Sequence, residues 1–539
     1  MRDHFLSCWA WVWLVSFLTV GVAGAGEPLV LVLGERQLFL DDRVVERTER
    51  LQRRLHAPEK RGAVLRPDVL SDGNRVQTYG TVPMWEEEEQ IYKLIYMAFP
   101  RDGGGIGAAL AISKDGVQWE KPDLGQGINV GGSTRNNRIF VDRSLQWGDN
   151  ALWNVIRDPD DSDPNRRYKG LLGAIGREGV FSRDGVQWVR SPGAKIPSGD
   201  TSTLIHDRTR KRYVAFVKGQ NQFGRAANVS ISEDFEHWSD PRPAFGTDEL
   251  DQKQAVEVIR KRLHDRRLSL PLFVDPDPAL GFLPPEKAQP TWRAECYAFA
   301  CFPYEGLFVG LPMLYYPTGQ ELPQRNNTDG FHEIQLTVSR DLEHWERVGE
   351  RQVFLGPSRV DQGLIGVFDR QELIPPSRPV SVGDELWFYY TGFKSRIPPY
   401  SRNPDGTPRD PATLSDEERA DLADGWSAIC LAVLRRDGFV SWDGGADEGW
   451  LLTRPFRFDG KELWVNLAAD DGAARVEILD EAGEGLAGYS GEQAGVVRGD
   501  GVRQLVQFPA ARDLNELAGR AIRLKIHLRK GSLYAFWVE

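Results

Sequence analysis

The sequence of 539 residues contains little cysteine and little methionine, with four of each. Cys8 lies in an N-terminal apolar run, which leaves Cys296, Cys301 and Cys430 for the rest of the chain. An odd number of cysteines does not predict a disulfide framework, and no spacing is that of a zinc site. Cys296 and Cys301 lie five residues apart on one predicted strand, so we expect their side chains on opposite faces. We expect neither a bound metal nor a cofactor.

The chain also has no excess of basic residues. It carries 67 Lys and Arg against 78 Asp and Glu, a net charge of −11. Proteins that bind nucleic acids usually present clustered basic residues, so no nucleic-acid partner is expected. None of the eight histidines lies in a sequence context typical of a Ser or Cys nucleophile. A hydrolase with a catalytic triad is therefore disfavoured.

Long apolar runs are absent after the first 25 residues. The run from Phe5 to Gly24 ends in small residues, with Ala23 and Ala25 in the arrangement of a signal-peptidase site. This pattern predicts a signal peptide over residues 1–25 and a secreted or periplasmic protein, with no membrane span after cleavage. The run is nearly long enough to cross a bilayer, so an uncleaved N-terminal anchor is the alternative.

Aromatic residues and short repeats are plentiful instead. Seventeen tryptophans suit both the packing of sheets and the stacking of sugar rings. A pattern Ser-x-Asp-x-x-x-Trp recurs four times and follows an alternating apolar strand each time, which indicates a β-hairpin. Its copies, with a fifth degenerate one, are Ser113–Trp119, Ser182–Trp188, Ser232–Trp238, Ser339–Trp345 and Arg435–Trp442.

Five copies at irregular intervals predict an all-β fold, a five-bladed β-propeller over residues 62–443. Each blade is expected to run from an inner strand through a turn to a middle strand, and then into the hairpin. The expected blades are 62–122, 137–192, 199–241, 292–349 and 361–443. Residues 26–61 form an N-terminal lead-in segment. Two insertions with helical patterns, 242–291 and 397–425, are expected over a face of the disc.

After Asp443 the repeat stops and five alternating strands follow, separated by Gly and Asp turns. Residues 444–539 are therefore predicted to form a separate β-sandwich. The alternation shows no exposed aromatic cluster, so a domain that caps the propeller edge is favoured over a sugar-binding module.

The inner strands of a propeller converge on one funnel, so a residue at the entry of each inner strand faces a shared cavity. Asp200 and Glu295 directly precede predicted inner strands of blades three and four, and Asp369 and Glu372 lie near that of blade five. Paired carboxylates can cleave a glycosidic bond, one as a proton donor and the other as nucleophile or base. We expect Glu295 to be the acid, with its pKa raised by burial, and Asp200 or Asp369 to be its partner.

With its repeat and its acids, the chain resembles the five-bladed glycoside hydrolases of the invertase-like and arabinanase-like families, especially their bacterial relatives. Segments such as QLFLDDRVVERTERLQRRLHAPEK and GDELWFYYTG carry the resemblance, which covers residues 36–443. Invertase-like enzymes have an acid/base Glu in a Glu-Cys pair, and Glu295-Cys296 matches it. The resemblance implies a carbohydrate substrate.

Two features depart from the invertase pattern. No WMNDPNG-like nucleophile motif occurs in blade one, where Asp68 and Asp72 are the candidates for its place. Arg157-Asp158-Pro159 matches the invertase Arg-Asp-Pro motif, but in this register Asp158 falls in a turn between strands. We therefore expect an exposed turn residue, whose Asp158→Asn variant keeps activity within about tenfold, because exposed substitutions usually cost little stability. The acidic turn that follows is interpreted as solvated rather than as a calcium site.

Three more polar residues are expected to face the funnel and bind substrate with Asp68: Arg225, His332 and Glu333. The sequence thus favours a glycosidase with paired carboxylates in the funnel. A propeller that binds glycans without cleaving them is the alternative.

Overall fold

The computed structural model describes residues 27–100, 105–142, 150–173, 175–193, 195–274, 292–319, 329–403, 407–509 and 513–539. The predicted signal peptide lies outside these residues. The described residues contain 35 strands and two α-helices. They form a five-bladed β-propeller and a large additional sheet, so the predicted all-β propeller fold is confirmed.

Blade one is a sheet of five strands, which follow β1 Leu29–Val30, β2 Gln37–Leu38, β3 Val45–Glu49, β4 Leu51–Leu55 and β5 Glu59–Leu65 of the N-terminal segment. Their pairing order is β10-β9-β8-β6, with β7 continuing the inner edge, and the bounds are β6 Val76–Gln77, β7 Met84–Glu86, β8 Ile91–Ala98, β9 Gly107–Ser113 and β10 Arg138–Ile139. The outer strand β10 lies beyond the expected end of this blade at residue 122.

Blades two and three are sheets of four consecutive antiparallel strands. Blade two consists of β11 Leu152–Arg157, β12 Tyr168–Leu172, β13 Glu178–Ser182 and β14 Trp188–Arg190. Blade three consists of β15 Ser202–Asp207, β16 Arg212–Asn221, β17 Gly224–Ser232 and β18 Arg242–Phe245.

Blade four has the same four positions, but its third and fourth strands are interrupted. Its strands are β19 Glu295–Tyr304, β20 Leu307–Gly319, β21 Asp329–Gln335, β22 Thr337–Ser339, β23 Glu346–Arg347 and β24 Val353–Leu355. Blade five contains β25 Glu372–Ile374, β26 Val380–Val382, β27 Glu385–Phe393 and β28 Ser427–Arg435.

The outer strand of blade five comes from the N-terminal segment. Residues Glu59–Leu65 pair antiparallel with β28, so the chain closes the ring with a strand from before blade one. The degenerate fifth hairpin does not supply this strand, because Val440–Gly444 pairs instead with the additional sheet. The expected boundary at residues 61 and 62 therefore falls inside a propeller strand.

Both ends of the chain build the additional sheet. Residues Leu29–Val30, Gln37–Leu38, Val45–Glu49 and Leu51–Leu55 of the lead-in segment pair with strands from the C-terminal region. The C-terminal strands are Val440–Gly444, Gly449–Thr453, Phe456–Arg457, Leu463–Asp480, Gly495–Leu505, Ile522–Arg529 and Gly531–Val538. The sandwich-like region thus includes residues outside 444–539.

The repeated hairpin motif is a network of local hydrogen bonds. In blade one, Ser113 Oγ accepts from Gly116 N at 2.8 Å, and Asp115 Oδ1 accepts from Val117 N and Gln118 N at 2.8 Å each. The Trp119 indole donates to Gly116 O at 3.1 Å. The same indole bond, three residues back, recurs in blades two, three and four. This local origin explains why the motif marks the blades so clearly.

The helices α1, Glu249–His264, and α2, Asp416–Ala423, lie in the two insertions. Short 3-10 turns occur at Leu70–Asp72, Pro164–Arg166, Gly349–Arg351, Pro411–Thr413, Gly491–Gln493 and Leu514–Leu517. Helix α1 packs Ala255 and Ile259 against blade four. Helix α2 is anchored to blade five by Asp421, which binds Arg370 at 2.7 Å and Lys394 at 2.9 Å. No helix among the described residues is long and apolar enough to span a membrane.

Candidate functional site

A cavity of about 440 Å³ lies where the inner strands converge. Its walls come from blades one, two, four and five and from the chain around the second insertion. Aromatic and other apolar side chains form most of the lining, and its charged residues are Arg75, Glu372 and Arg396. The aromatic lining residues are Tyr79, Phe99, Trp153, Tyr297, Phe393 and Trp426.

Two β-bulges place aromatic side chains in this cavity. The pairing of β11 with β12 shifts between Leu152 and Asn154, and that of β19 with β20 shifts between Cys296 and Ala298. The extra residues are Trp153 and Tyr297, and both line the cavity. A bulge re-aims a side chain without ending the strand, so equivalent bulges in two blades furnish one site.

The bulge in blade four also changes the direction of the cysteines. Cys296 and Cys301 are both buried in the same apolar cluster with Phe299 and Phe308. Their expected placement on opposite faces is wrong, because the extra residue between them shifts the alternation by one. Both thiols are free.

Glu372, the first residue of β25, is the carboxylate that lines the cavity. Arg396 donates to Glu372 Oε1 at 2.6 Å, and His332 Nδ1 lies 3.4 Å from the same oxygen. Burial raises the pKa of Glu372, although Arg396 opposes the rise. Within the described residues, Oε2 has no hydrogen-bond partner and is the oxygen left to carry a proton.

Asp200 lies beside the cavity and contacts its Tyr297 wall. The Tyr297 hydroxyl donates to Asp200 Oδ2 at 3.1 Å, and Lys218 Nζ lies 3.1 Å from Oδ1. Burial alone would raise the pKa of Asp200, but Lys218 and the Tyr297 hydrogen bond lower it overall. Its side chain is 59 % exposed. Asp200 is therefore an accessible carboxylate that stays ionised.

Arg75 has a different environment from the other charged residues of the cavity. Its guanidinium lies over the rings of Phe99 and Trp426, 3.8 and 4.7 Å from their centroids. Among the described residues its guanidinium makes no hydrogen bond or ion pair, whereas its backbone forms a β-bridge with Ser427. Burial lowers its pKa, although the nearby Tyr79 and Glu372 oppose the fall.

Glu295 is buried, as predicted, but its pKa is shifted in the direction opposite to the predicted one. Arg225 forms an ion pair with Oε2, and Arg293 Nε donates to Oε1 at 2.6 Å. Burial would raise the pKa of Glu295, but the two guanidinium groups lower it overall. The expected rise in this pKa is wrong, and Glu295 is not among the residues that line the cavity. An ionised, doubly paired carboxylate lacks the proton that a general acid needs.

Asp369 lies away from the cavity, against the outer strand of its own blade. Its Oδ2 accepts from Lys60 at 2.6 Å, Ser358 at 2.9 Å and Tyr390 at 2.8 Å. These contacts tie the closing N-terminal strand to blade five. The prediction that Asp369 faces the funnel is wrong for this reason.

The four predicted substrate-binding residues do not line the cavity. Asp68 is 66 % exposed and forms an ion pair with Lys121. Arg225 lies behind Tyr297, with which it stacks at 5.2 Å. Glu333 lies on β21 near Arg262, and burial raises its pKa to about 7.

The fourth, His332, is fully buried against the aromatic rings of Tyr297 and Tyr315, at 5.2 and 5.0 Å. Neither ring nitrogen has a hydrogen-bond partner in the part of the chain that the structure describes. Burial lowers its pKa well below the ordinary value, so the imidazole is neutral and supports Tyr297 from behind.

Asp158 follows β11 in the predicted turn, but it is buried rather than exposed. Lys169, which has no exposed side-chain surface, lies 2.7 Å from both Asp158 and Asp161. Tyr213 also donates to Asp158. The expected exposure of Asp158 is therefore wrong, because a buried ammonium group pairs with it, whereas residues 159, 160 and 162–164 of the acidic turn are exposed.

Sequence reasoning missed Arg75, Tyr79, Trp153, Tyr297, Arg396 and Trp426. One signal was present: an aromatic residue stands near the start of the inner strand in blades one, two and four, as Tyr79, Trp153 and Tyr297. Arg75, Arg396 and Trp426 come from connecting segments and leave no such repeat.

No protein-family model matches the sequence, and the search of curated proteins found no match. Solved structures do match. An N-acetylgalactosamine deacetylase from F. plautii, in complex with blood group B trisaccharide, is 14% identical, with 72% of this chain and 97% of that chain covered at a TM-score of 0.40. The GH32 β-fructofuranosidase of Bombyx mori is 10% identical, with 90% and 94% covered at 0.35.

A fructofuranosidase variant from Schwanniomyces occidentalis, complexed with fructosylnystose, is also 10% identical, with 89% and 97% covered at 0.35. Identities and TM-scores this low do not assign an activity or a substrate to this chain. Its own strands establish the fold as a five-bladed propeller, and the structures of this deacetylase and these two fructofuranosidases are similar to it.

Proposed function

We propose that this chain is an exported glycoside hydrolase that cleaves an oligo- or polysaccharide in the central cavity, with Glu372 as general acid and Asp200 as its carboxylate partner. The observation that carries the proposal is the opposite direction of their two pKa shifts. Burial raises the pKa of Glu372, while Lys218 and Tyr297 hold that of Asp200 down. Environments that separate two carboxyl pKa values in this way suit an acid and a base.

Tyr297 links the two carboxylates. It lines the cavity, donates to Asp200, and is under the electrostatic influence of both Asp200 and Glu372. In the proposed step, Glu372 gives its proton to the leaving glycosidic oxygen as the bond from that oxygen to the anomeric carbon breaks. Asp200 either attacks the anomeric carbon or takes a proton from the attacking water. The aromatic walls suit the apolar faces of sugar rings.

Activity should depend on pH with two limbs. The rate falls as pH rises through the pKa of Glu372, which burial places above its ordinary value of 4.5. The rate also falls as pH drops through the pKa of Asp200, below its ordinary 3.8. A bell-shaped profile of kcat/KM between these limits is the expected result.

The mutational test compares natural glycans with activated aryl glycosides. Glu372→Gln should slow substrates with poor leaving groups by about 10²–10⁴-fold and hurt aryl glycosides far less, because these leave without protonation. Asp200→Asn should slow both classes. Glu46→Gln and Asp470→Asn, on exposed positions of the additional sheet, are the matched controls. A Glu372→Gln enzyme that cleaves natural glycans at the wild-type rate contradicts the assignment.

The second candidate function is glycan binding without cleavage. The observation that favours it is the pairing of both carboxylates with cations, Glu372 with Arg396 and Asp200 with Lys218. A wild-type protein that binds oligosaccharides but releases no reducing ends in a broad screen supports this alternative.

Export is supported by the sequence of residues 1–25 alone. Expression of the full chain in a bacterial host, followed by N-terminal sequencing of the periplasmic fraction, tests it. A mature protein that begins at Gly26 supports export with cleavage, and an intact N-terminus in the membrane fraction supports the anchor.

A further inference from the structure

We propose that the cavity selects an anionic saccharide, one that carries a carboxylate or a sulfate ester, and that Arg75 is the residue that binds the anionic group. This inference deepens the proposed function, since it names the substrate class of the same site.

The first observation is the unused hydrogen-bonding capacity of Arg75. A guanidinium has five N–H donors in a planar fork that matches the oxygens of a carboxylate or sulfate. Within the described residues, none of the Arg75 side-chain donors meets an acceptor. The other cationic residue of the cavity, Arg396, is already bound to Glu372 at 2.6 Å.

The second observation is the way in which Arg75 is held. Phe99 and Trp426 contact its guanidinium at 3.8 and 4.7 Å from their ring centroids. Stacking fixes the plane of the group but consumes no N–H donor, because the rings interact through their faces. An arginine fixed in this way loses less conformational entropy when it binds a ligand.

The third observation is the charge of the cavity. Its charged lining residues are two arginines and one glutamate. As the proposed general acid, Glu372 carries a proton and is neutral. No other residue that lines the cavity then has a negative charge to balance the two arginines. A neutral sugar leaves these cations in a partly buried site without a counter-charge, whereas an anionic sugar neutralises one of them.

The experiment measures binding with the wild-type protein, since the probes are monosaccharides without a glycosidic bond and are not consumed. The probes are D-galacturonate, D-glucuronate, galactose 6-sulfate, D-galactose and D-glucose, titrated by isothermal calorimetry at constant ionic strength. We expect at least one anionic sugar to bind about tenfold or more tightly than its neutral parent. The carboxylate and sulfate arms show which anionic group the site prefers. Equal affinities for the acidic and neutral sugars overturn the inference.

Arg75→Met tests the assigned residue. It keeps an apolar stem between Phe99 and Trp426 but removes the charge, so the preference for the anionic sugar should disappear. Arg75→Lys keeps the charge without the planar fork and should retain only part of the preference. The matched control is Arg47→Met, since Arg47 also lies over a tryptophan, Trp450 at 5.4 Å, but on the additional sheet. A preference that persists in Arg75→Met, in a variant with wild-type Tm, overturns the assignment.

The two proposals fail separately. If anionic sugars bind through Arg75 but no glycan is cleaved by the wild type, the hydrolase proposal fails and the binding specificity stands. If neutral glycans are cleaved with Glu372 as acid and acidic ones are not preferred, the hydrolase proposal stands and the anionic specificity fails.

Discussion

At the scale of single residues, buried charge pairs are common in this propeller. Asp158 is 2 % exposed and Lys169 is not exposed at all, with 2.7 Å between Oδ2 and Nζ. Breaking such a pair leaves the remaining charge buried without its partner, which costs more than the pair itself contributes. Their role is therefore tested by a change in stability rather than by a change in activity alone.

Asp158→Asn should lower the free energy of unfolding by about 3 kcal/mol, because Lys169 then keeps only Asp161 as a carboxylate partner. Chemical denaturation at pH 7 measures the loss. The exposed Asp160→Asn variant is the control and should change stability by less than about 0.5 kcal/mol. A loss of activity of a thousandfold or more in a stable Asp158→Asn protein would instead support the invertase-like role of this residue.

The same pair predicts a pH dependence of stability. The pKa of Asp158 is lowered overall by its hydrogen bonds to Lys169 and Tyr213, although burial opposes the shift. A carboxyl whose folded-state pKa is lowered stabilises the fold above its unfolded pKa, near 3.9, and this contribution is lost as pH falls through the folded value. Unfolding free energies between about pH 5 and 2 should therefore drop more steeply for the wild type than for Asp158→Asn.

At the scale of elements, the hairpin motif contains a residue with a strained backbone conformation in two blades. The residue after the motif aspartate has positive φ in four blades: Gly116 at 76°, Gly185 at 82°, Phe235 at 69° and Leu342 at 71°. Glycine adopts this conformation freely, whereas other residues are strained by about 1–2 kcal/mol. Phe235 and Leu342 are fully buried, so the apolar contacts of their side chains offset the strain.

Helix α2 holds one wall of the cavity through Asp421. The Asp421 carboxylate accepts from Arg370 and Tyr400, and Lys394 Nζ lies 2.9 Å from its Oδ1. Lys394 N in turn donates to Trp426 O at 3.1 Å. Because Lys394 has no exposed side-chain surface, loss of the Asp421 charge should destabilise the fold by about 3–5 kcal/mol.

Asp421→Asn should therefore raise hydrogen exchange across α2 and weaken sugar binding, since its partner Lys394 lies close to Arg396 in the chain and donates its backbone N–H to Trp426. Exchange mass spectrometry and calorimetric titration measure the two effects. Asp416→Asn is the control on the same helix, with a fully exposed side chain. Unchanged exchange across α2 in Asp421→Asn would contradict the anchoring role.

At the scale of the whole molecule, the propeller and the additional sheet share one apolar core. A single cluster joins Phe302 and Val309 of blade four, Phe388 of blade five, and Val465 and Phe536 of the additional sheet. Arg36 connects the same parts, since it pairs with Glu305 and Asp437 and lies 4.6 Å from the Trp537 ring centroid.

A continuous core predicts cooperative unfolding. The mature chain should give one calorimetric transition, and Arg36→Met should lower its Tm without splitting it, because the apolar cluster still joins the two parts. Two resolved transitions in the wild type would show that the propeller and the additional sheet unfold independently.

The sequence by itself determined the number of blades and, apart from the outer strand of blade five, the order of strands within them. The hairpin motif closes its hydrogen bonds within seven residues, so it forms wherever its residues stand. Its four full copies mark blades one to four, and the degenerate fifth copy marks the point where the chain leaves blade five for the additional sheet. The end of the repeat after Asp443 likewise indicated the change to another sheet. The sequence placed Asp369 and Glu372 near the inner strand of blade five. Of these two residues, Glu372 lines the cavity and Asp369 does not.

Only the tertiary structure decided which polar side chains face the cavity and which are ionised. Single-residue bulges at Trp153 and Tyr297 shift the alternation of the inner strands, and the strand pattern of the sequence does not mark them. The partners that set each proton affinity come from distant segments: Arg225 lies 70 residues from Glu295, and Lys60 lies 309 residues from Asp369. A carboxyl pKa depends on charges within a few ångströms in space, and the sequence places those charges only after the blades have closed into a ring.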